Sequence, residues 1–166
     1  MVKRTHILTL LLLASIISCG GNHANQNYNP YIGRLDNLLP KQIGDYTLNL
    51  VNVVGSEKGS DKVEFGAVDA IKAFYRKGDD PSAAVIKIFN FTSAEKPLEI
   101  LQRQSGYYSE RKISWDIQDK TTKTGAVGKK LVTRGQSMWT NGSLLCVLSF
   151  DPKDGDITAF EASLPF

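Results

Sequence analysis

Two apolar runs flank the dipeptide Asn141-Gly142, and this arrangement constrains the fold more than any other feature of the chain. Ser137-Met138-Trp139-Thr140 lies on one side and Ser143 to Phe150 on the other. An Asn-Gly pair between strand-like runs is the strongest short hairpin signal, because both residues tolerate the positive φ of a tight turn. A second hairpin is readable upstream. Ala84-Val85-Ile86-Lys87-Ile88-Phe89-Asn90-Phe91 is strand text, preceded by the polar turn Lys77-Gly78-Asp79-Asp80-Pro81-Ser82. Residues Ala67 to Arg76 fit a helix through Ala67, Ala70, Ile71 and Phe74, or a strand through Ile71, Ala73 and Tyr75. The turn that follows favours the strand. Tyr46 to Val54 reads as another strand, followed by a turn-rich loop from Gly55 to Asp61.

One helix start stands out. Thr92-Ser93-Ala94-Glu95 has capping-box spacing, Pro97 falls in the first turn, Leu98, Leu101 and, one step off, Ile100 are expected to face inward with Glu99 and Arg103 outward, and Gly106 is the expected stop. Ile113 to Gln118 alternates as a half-buried strand, Lys130 to Thr133 suggests a further one, and Asp156 can cap a short helix carrying Ile157, Phe160 and Leu164. No βαβ alternation is present. The order predicts an α+β domain: a single antiparallel sheet with one main helix and a short C-terminal helix packed on one face. Trp115 and Trp139 are expected in its core.

The N-terminus carries an address. Lys3 and Arg4 precede an apolar run from Ile7 to Ile17, well short of the ~20 residues that span a bilayer. The run closes on Ile16-Ile17-Ser18-Cys19. An ordinary signal peptidase prefers small residues one and three before the cut, and neither a cut before Cys19 nor one before Ser18 supplies that pair. The segment resembles the signal of bacterial lipoproteins, in which an aliphatic, a tolerant and a small residue precede an invariant cysteine. That resemblance implies cleavage between Ser18 and Cys19, and fatty acids such as palmitate on Cys19. It also implies two or three acyl chains, enough for stable anchoring where one holds only weakly. Gly20 in place of Asp implies, in a host with two membranes, the outer membrane and its periplasmic face.

The expected organisation is a signal peptide over 1–18, a lipidated Cys19 with a flexible tether over 19–36, and one domain over 37–166. The tether is Asn-rich and without periodicity, and about twenty such residues span roughly 25 Å. Leu35 to Pro40 can form one helical turn.

Composition and motifs remove most chemistry. The precursor's net charge of +3 falls close to neutral once Lys3 and Arg4 are cleaved away, which argues against a nucleic-acid partner. The only histidines are His6 and His23, in the signal and the tether, so the folded domain has none for a Ser-His or Cys-His dyad or a His-type metal site. Cys146 lies in Leu144-Leu145-Cys146-Val147-Leu148; the alternatives are a reactive thiol and a small buried hydrophobe, and the lack of an activating histidine favours the second. Gly125-Ala126-Val127-Gly128-Lys129 lacks the first glycine of a phosphate loop, and Lys130 stands where Ser or Thr belongs. Asp151 to Asp156 fails as a calcium loop, because aligning Gly155 puts Phe150 and Pro152 at ligand positions.

No cofactor is implied. Between Arg103 and Arg134 basic residues outnumber acidic ones. Tyr107, Tyr108, Lys120, Lys123, Lys129 and Lys130 form the candidate interaction surface, for an acidic partner or anionic lipid headgroups.

The body resembles uncharacterised bacterial secreted and lipoprotein domains in Leu39-Pro40, Gly44-Asp45-Tyr46, Ala73-Phe74-Tyr75, Phe91 to Leu101 and Trp139 to Gly142. It is also similar to PsbP-like domains in its sheet-plus-helix order. Both resemblances imply an accessory role and supply no catalytic residue. The expected function is a membrane-anchored, non-catalytic binding or assembly module with a protein partner. The alternative is a carrier of a small apolar ligand or lipid between sheet and helices, and the third is a carboxylate-dependent hydrolase. A carrier requires a large pre-formed cavity, whereas a module requires a filled interior and an exposed patch.

Overall fold

The computed structural model describes residues 33–121, 127–151 and 158–166. Its frame is an eight-stranded sheet in the order β1-β2-β3-β4-β8-β7-β6-β5. Strands β1 (Gln42–Ile43), β2 (Tyr46–Val53), β3 (Asp69–Lys77) and β4 (Asp80–Asn90) form one meander. Strands β5 (Asp116–Thr121), β6 (Val127–Val132), β7 (Gln136–Asn141) and β8 (Leu144–Phe150) form a second. β4 and β8 meet at the centre, and every pairing is antiparallel. Helix α1 (Asp61–Phe65) lies between β2 and β3, α2 (Glu95–Glu110) links the two meanders, and α3 (Thr158–Ser163) follows β8.

The expected hairpins form. Asn141 pairs with Leu144, which leaves Gly142 and Ser143 as the two loop residues, and Gly142 takes the positive φ of +56°. In β3–β4, Lys77 pairs with Asp80 around Gly78, at φ +58°. The ambiguous segment from Ala67 to Arg76 is strand β3 from Asp69 onward.

Alternation along the strands builds two cores. Phe89, Met138, Leu145 and Val147 face one way, with Phe91 and with Ile100 of α2. Ile71, Ala73, Tyr75, Ile86, Ile88, Trp139, Cys146 and Leu148 face the other way, with Leu35, Leu39, Phe160, Leu164 and Phe166. The two helices therefore cover opposite faces, not the single face expected from sequence. The cause is visible in β8: Leu144 to Leu148 are all buried, so both sides of the central strand need a cover.

Five local expectations change. The Thr92–Glu95 capping box is not made. Ala94 caps α2 without a side-chain bond, and Glu95 bonds the Ser93 side chain, which lowers its carboxyl pKa. Gly106 lies inside α2, which runs on to Glu110 and stops at Lys112, φ +56°. There Lys112 N–H donates to the Ser109 carbonyl and Ile113 N–H to the Tyr108 carbonyl, a Schellman pattern with lysine where glycine is usual. The strand expected over Ile113 to Gln118 starts only at Asp116 and is an exposed edge. Trp115 is 36% exposed rather than core, its indole N–H donating to Ser109 Oγ. At the other end, the 3-10 turn Leu35–Leu38 forms and Leu35 is buried in the core, so the folded body takes in residues placed in the expected tether. The proposed Asp156 cap lies outside the described residues.

Candidate binding surface

Helix α2 lies along β6 and β7, and an open cleft flanks it on each side. On the β4 side, α1 brings Phe65 over the apolar floor of Phe89, Met138 and Val147. Lys87 and Asp61 form an ion pair on one wall. On the other wall, Tyr108 Oη donates to Gln136 Oε1 at 2.6 Å, and burial pushes the Tyr108 phenol up in pKa, with Tyr107 beside it adding to the effect. This cleft holds about 200 Å³.

The cleft on the β6 side is larger, about 370 Å³, and is bounded by Ala94, Leu98, Asp119, Val127, Gly128, Lys129, Thr140 and Gly142. Its apolar wall is open to solvent: Leu98, expected to face inward, is 37% exposed because Pro97, Ile100 and Leu101 make the buried side of α2, and Val127 is 69% exposed. Lys129 pairs with Asp119 along its rim. Gly128 has a steric reason to be there, since a Cβ at that position would lie 2.2 Å from the Thr140 carbonyl oxygen. The close approach lets Lys129 N–H donate to Thr140 Oγ1 at 3.1 Å, which ties β6 to β7 beneath the cleft.

The opposite face carries an ion cluster. Glu161 of α3 accepts from Lys120 Nζ on Oε1 at 2.7 Å, while its Oε2 accepts from Ser137 Oγ at 2.8 Å and lies 2.8 Å from Lys130 Nζ. The Glu161 side chain is 7% exposed, and those of Lys120 and Lys130 are 13% and 17% exposed. Burial alone raises the Glu161 pKa, but the bonds from Lys120, Lys130 and Ser137 outweigh it and hold the carboxyl below its ordinary range. Lys120 shifts down: burial and the charge of Lys130 exceed what Glu161 returns. Lys120 Nζ also sits 3.9 Å from the centroid of the Trp139 ring, and Phe166 stacks on that indole at 6.2 Å.

The six residues of the expected interaction surface do not form one patch. Lys129 and Lys130 are neighbours on β6 and so point to opposite faces. Lys129 and Tyr108 line the two separate clefts beside α2, while Lys120 and Lys130 are committed to Glu161. Tyr107 is exposed, with the Arg111 guanidinium 4.4 Å from its ring centroid. Lys123 lies outside the described residues. Glu161 and Ser137 lie outside the expected surface, yet one signal is present in the sequence: Glu161 sits one residue after Phe160 and three before Leu164, on the apolar side of a short helix. Cys146 is fully buried, and burial pushes its thiol pKa up. Among the described residues no three His, Cys, Asp or Glu side chains gather as metal ligands. No protein-family model matches the chain, and no curated protein or solved structure is significantly similar to it.

Proposed function

We propose that the chain is a bacterial envelope lipoprotein, cleaved after Ser18 and lipidated on Cys19, whose α+β domain is a non-catalytic binding or assembly module for a protein partner. In a host with two membranes it sits on the periplasmic face of the outer membrane. The observation that supports the module is the open β6-side cleft, with Leu98 and Val127 exposed beside the Asp119–Lys129 pair. An apolar strip edged by charges suits an extended or helical segment of another protein better than a buried small molecule. The interior also weighs against a carrier with a standing cavity, since Tyr75, Phe89, Trp139 and Phe160 fill both cores at 2% exposure or less.

Two measurements test the reading. Wild-type chain expressed in a bacterial host should incorporate labelled palmitate and Cys19→Ser should not; equal labelling ends the lipoprotein assignment. A photo-crosslinking amino acid at Leu98 or Val127 should give one discrete adduct in cells, whereas the same probe at Val53, exposed on β2 away from the cleft, should not. The adduct from Val127 should vanish in a Leu98→Asp background. Adducts from neither cleft position, or equal adducts from Val53, refute the surface.

A further inference from the structure

On the face opposite α2, the segment 158–166 offers the sheet one carboxylate and three apolar side chains. Phe160 lies edge-on to Tyr46 at 4.9 Å and to Tyr75 at 5.0 Å, Phe166 stacks on Trp139, and Leu164 is buried in the same core. Between them the Glu161 carboxylate takes Lys120, Lys130 and the Ser137 hydroxyl. As ligand chemistry, this is a compact anion joined to an apolar body.

The receiving side is built for more anion than it holds. Among the described residues two ammonium groups converge on one carboxylate, an excess of positive charge in a mostly buried cluster. The second lysine does not relieve the first, because the charge of Lys130 makes that of Lys120 costlier. Beside them Trp139 Nε1 is buried, with no hydrogen-bond partner among the described residues. Stability alone is a weak reason for such a cluster, since buried ion groups commonly match or trail apolar packing of the same shape. The excess cation, the idle indole N–H and the aromatic walls share one explanation if this face also receives an external anion with an apolar tail.

We propose that this face of the sheet is a binding site for a carboxylate-bearing amphiphile, and that segment 158–166 occupies it as an internal ligand that the amphiphile displaces. The head would take Lys120, Lys130, Ser137 and the Trp139 indole N–H, and the tail would replace Phe160, Leu164 and Phe166 against Tyr46 and Tyr75. This goes beyond the protein-docking reading and is independent of it, because that cleft lies on the other face of the sheet.

The test uses the full chain and a dodecanoate carrying a photoreactive diazirine. Adducts should map to β3 and β7, around Tyr75 and Trp139. Unlabelled dodecanoate should compete, while dodecanol and dodecyltrimethylammonium should not. At subsaturating probe, Glu161→Gln should raise labelling by at least about tenfold, by weakening the internal competitor. Leu164→Ala, which leaves every sheet cation in place, should raise it in the same direction and serves if Glu161→Gln does not fold. Lys120→Gln with Lys130→Gln should abolish it. Amide exchange across 158–166 should accelerate on addition of dodecanoate. Adducts confined to other segments, equal competition by dodecanol, or labelling unchanged in the variant that folds would each overturn the proposal.

Discussion

Replacing Glu161 with glutamine tests the ion cluster most directly, because the substitution keeps the shape and removes the charge. It leaves Lys120 and Lys130, 13% and 17% exposed, facing each other without a counter-ion. Removing one partner of a fully buried pair costs about 3–5 kcal/mol. The residual exposure lets each ammonium move partly into water, and glutamine can still accept from Ser137, so the expected loss is about 2–4 kcal/mol. For a domain of this size that lowers Tm by about 6–20 °C. Chemical denaturation at pH 7 measures the loss directly. The effect must also depend on pH in one direction. The Glu161 carboxyl is held below its ordinary value of 4.5, so its contribution is complete above that value and is lost as pH falls through the lower folded-state value. The gap between wild type and Glu161→Gln should therefore narrow in acid. A triple variant, Lys120→Met, Lys130→Met and Glu161→Leu, should recover most of the loss, since apolar packing replaces the whole cluster. A loss under about 0.5 kcal/mol at pH 7, or one that is the same at pH 7 and in acid, refutes the assignment of Glu161 as a buried charge-paired group.

Three further outcomes follow from single positions. Native protein should react slowly with a thiol reagent at Cys146 and quickly once unfolded, and Cys146→Ala should cost about 1–2 kcal/mol through the small cavity it leaves; rapid labelling of the native chain would place the thiol at the surface. Gly128→Ala should destabilise by about 1–3 kcal/mol in denaturant, because its Cβ meets the Thr140 backbone oxygen and β6 has to move off β7; a neutral result would mean the two strands are not that close. Lys112→Gly should gain about 1 kcal/mol, since it relieves a non-glycine residue from φ +56° at the end of α2; a loss would contradict the Schellman stop.

Much of the frame was legible because its signals are local. Asn141-Gly142 and Gly78 mark hairpins by backbone chemistry alone, and the apolar run of β8 can only be a central strand or a buried helix, a choice the turn before it decides. What escaped depends on distant contacts. Gly106 looks like a helix stop until Tyr107 and Tyr108 are seen to continue α2, with Tyr108 fastened to Gln136 on β7. β5 has little apolar alternation to read because it is an edge, held by pairing with β6 rather than by burial. That the helices cover opposite faces is invisible within any one strand, and appears only when alternating residues of β3, β4, β7 and β8 fall into two clusters. Lys129 and Lys130 look alike in sequence, and only the register of β6 against β7 assigns one to the open cleft and the other to Glu161.

The arrangement of the two faces links the proposed anchor to the proposed surface. The chain joins the domain through Leu35 and Leu39, which pack in the same core as Phe160 and Leu164. Just beyond them the Pro40 carbonyl accepts from Tyr75 Oη at 2.8 Å, which fixes the segment to β3. The proposed tether would therefore meet the domain on the α3 face, through the core that holds Leu35 and Leu39. The clefts beside α2 lie across the full thickness of the sheet from this attachment, with β8 buried on both sides between them. Close packing makes such a central strand stiff rather than compliant. A partner seated between α2 and β6 then meets a surface whose shape is set by the sheet and not by the anchor. By contrast, whatever displaces segment 158–166 acts on the face that carries the attachment, where Tyr75 touches both Phe160 and the backbone at Pro40.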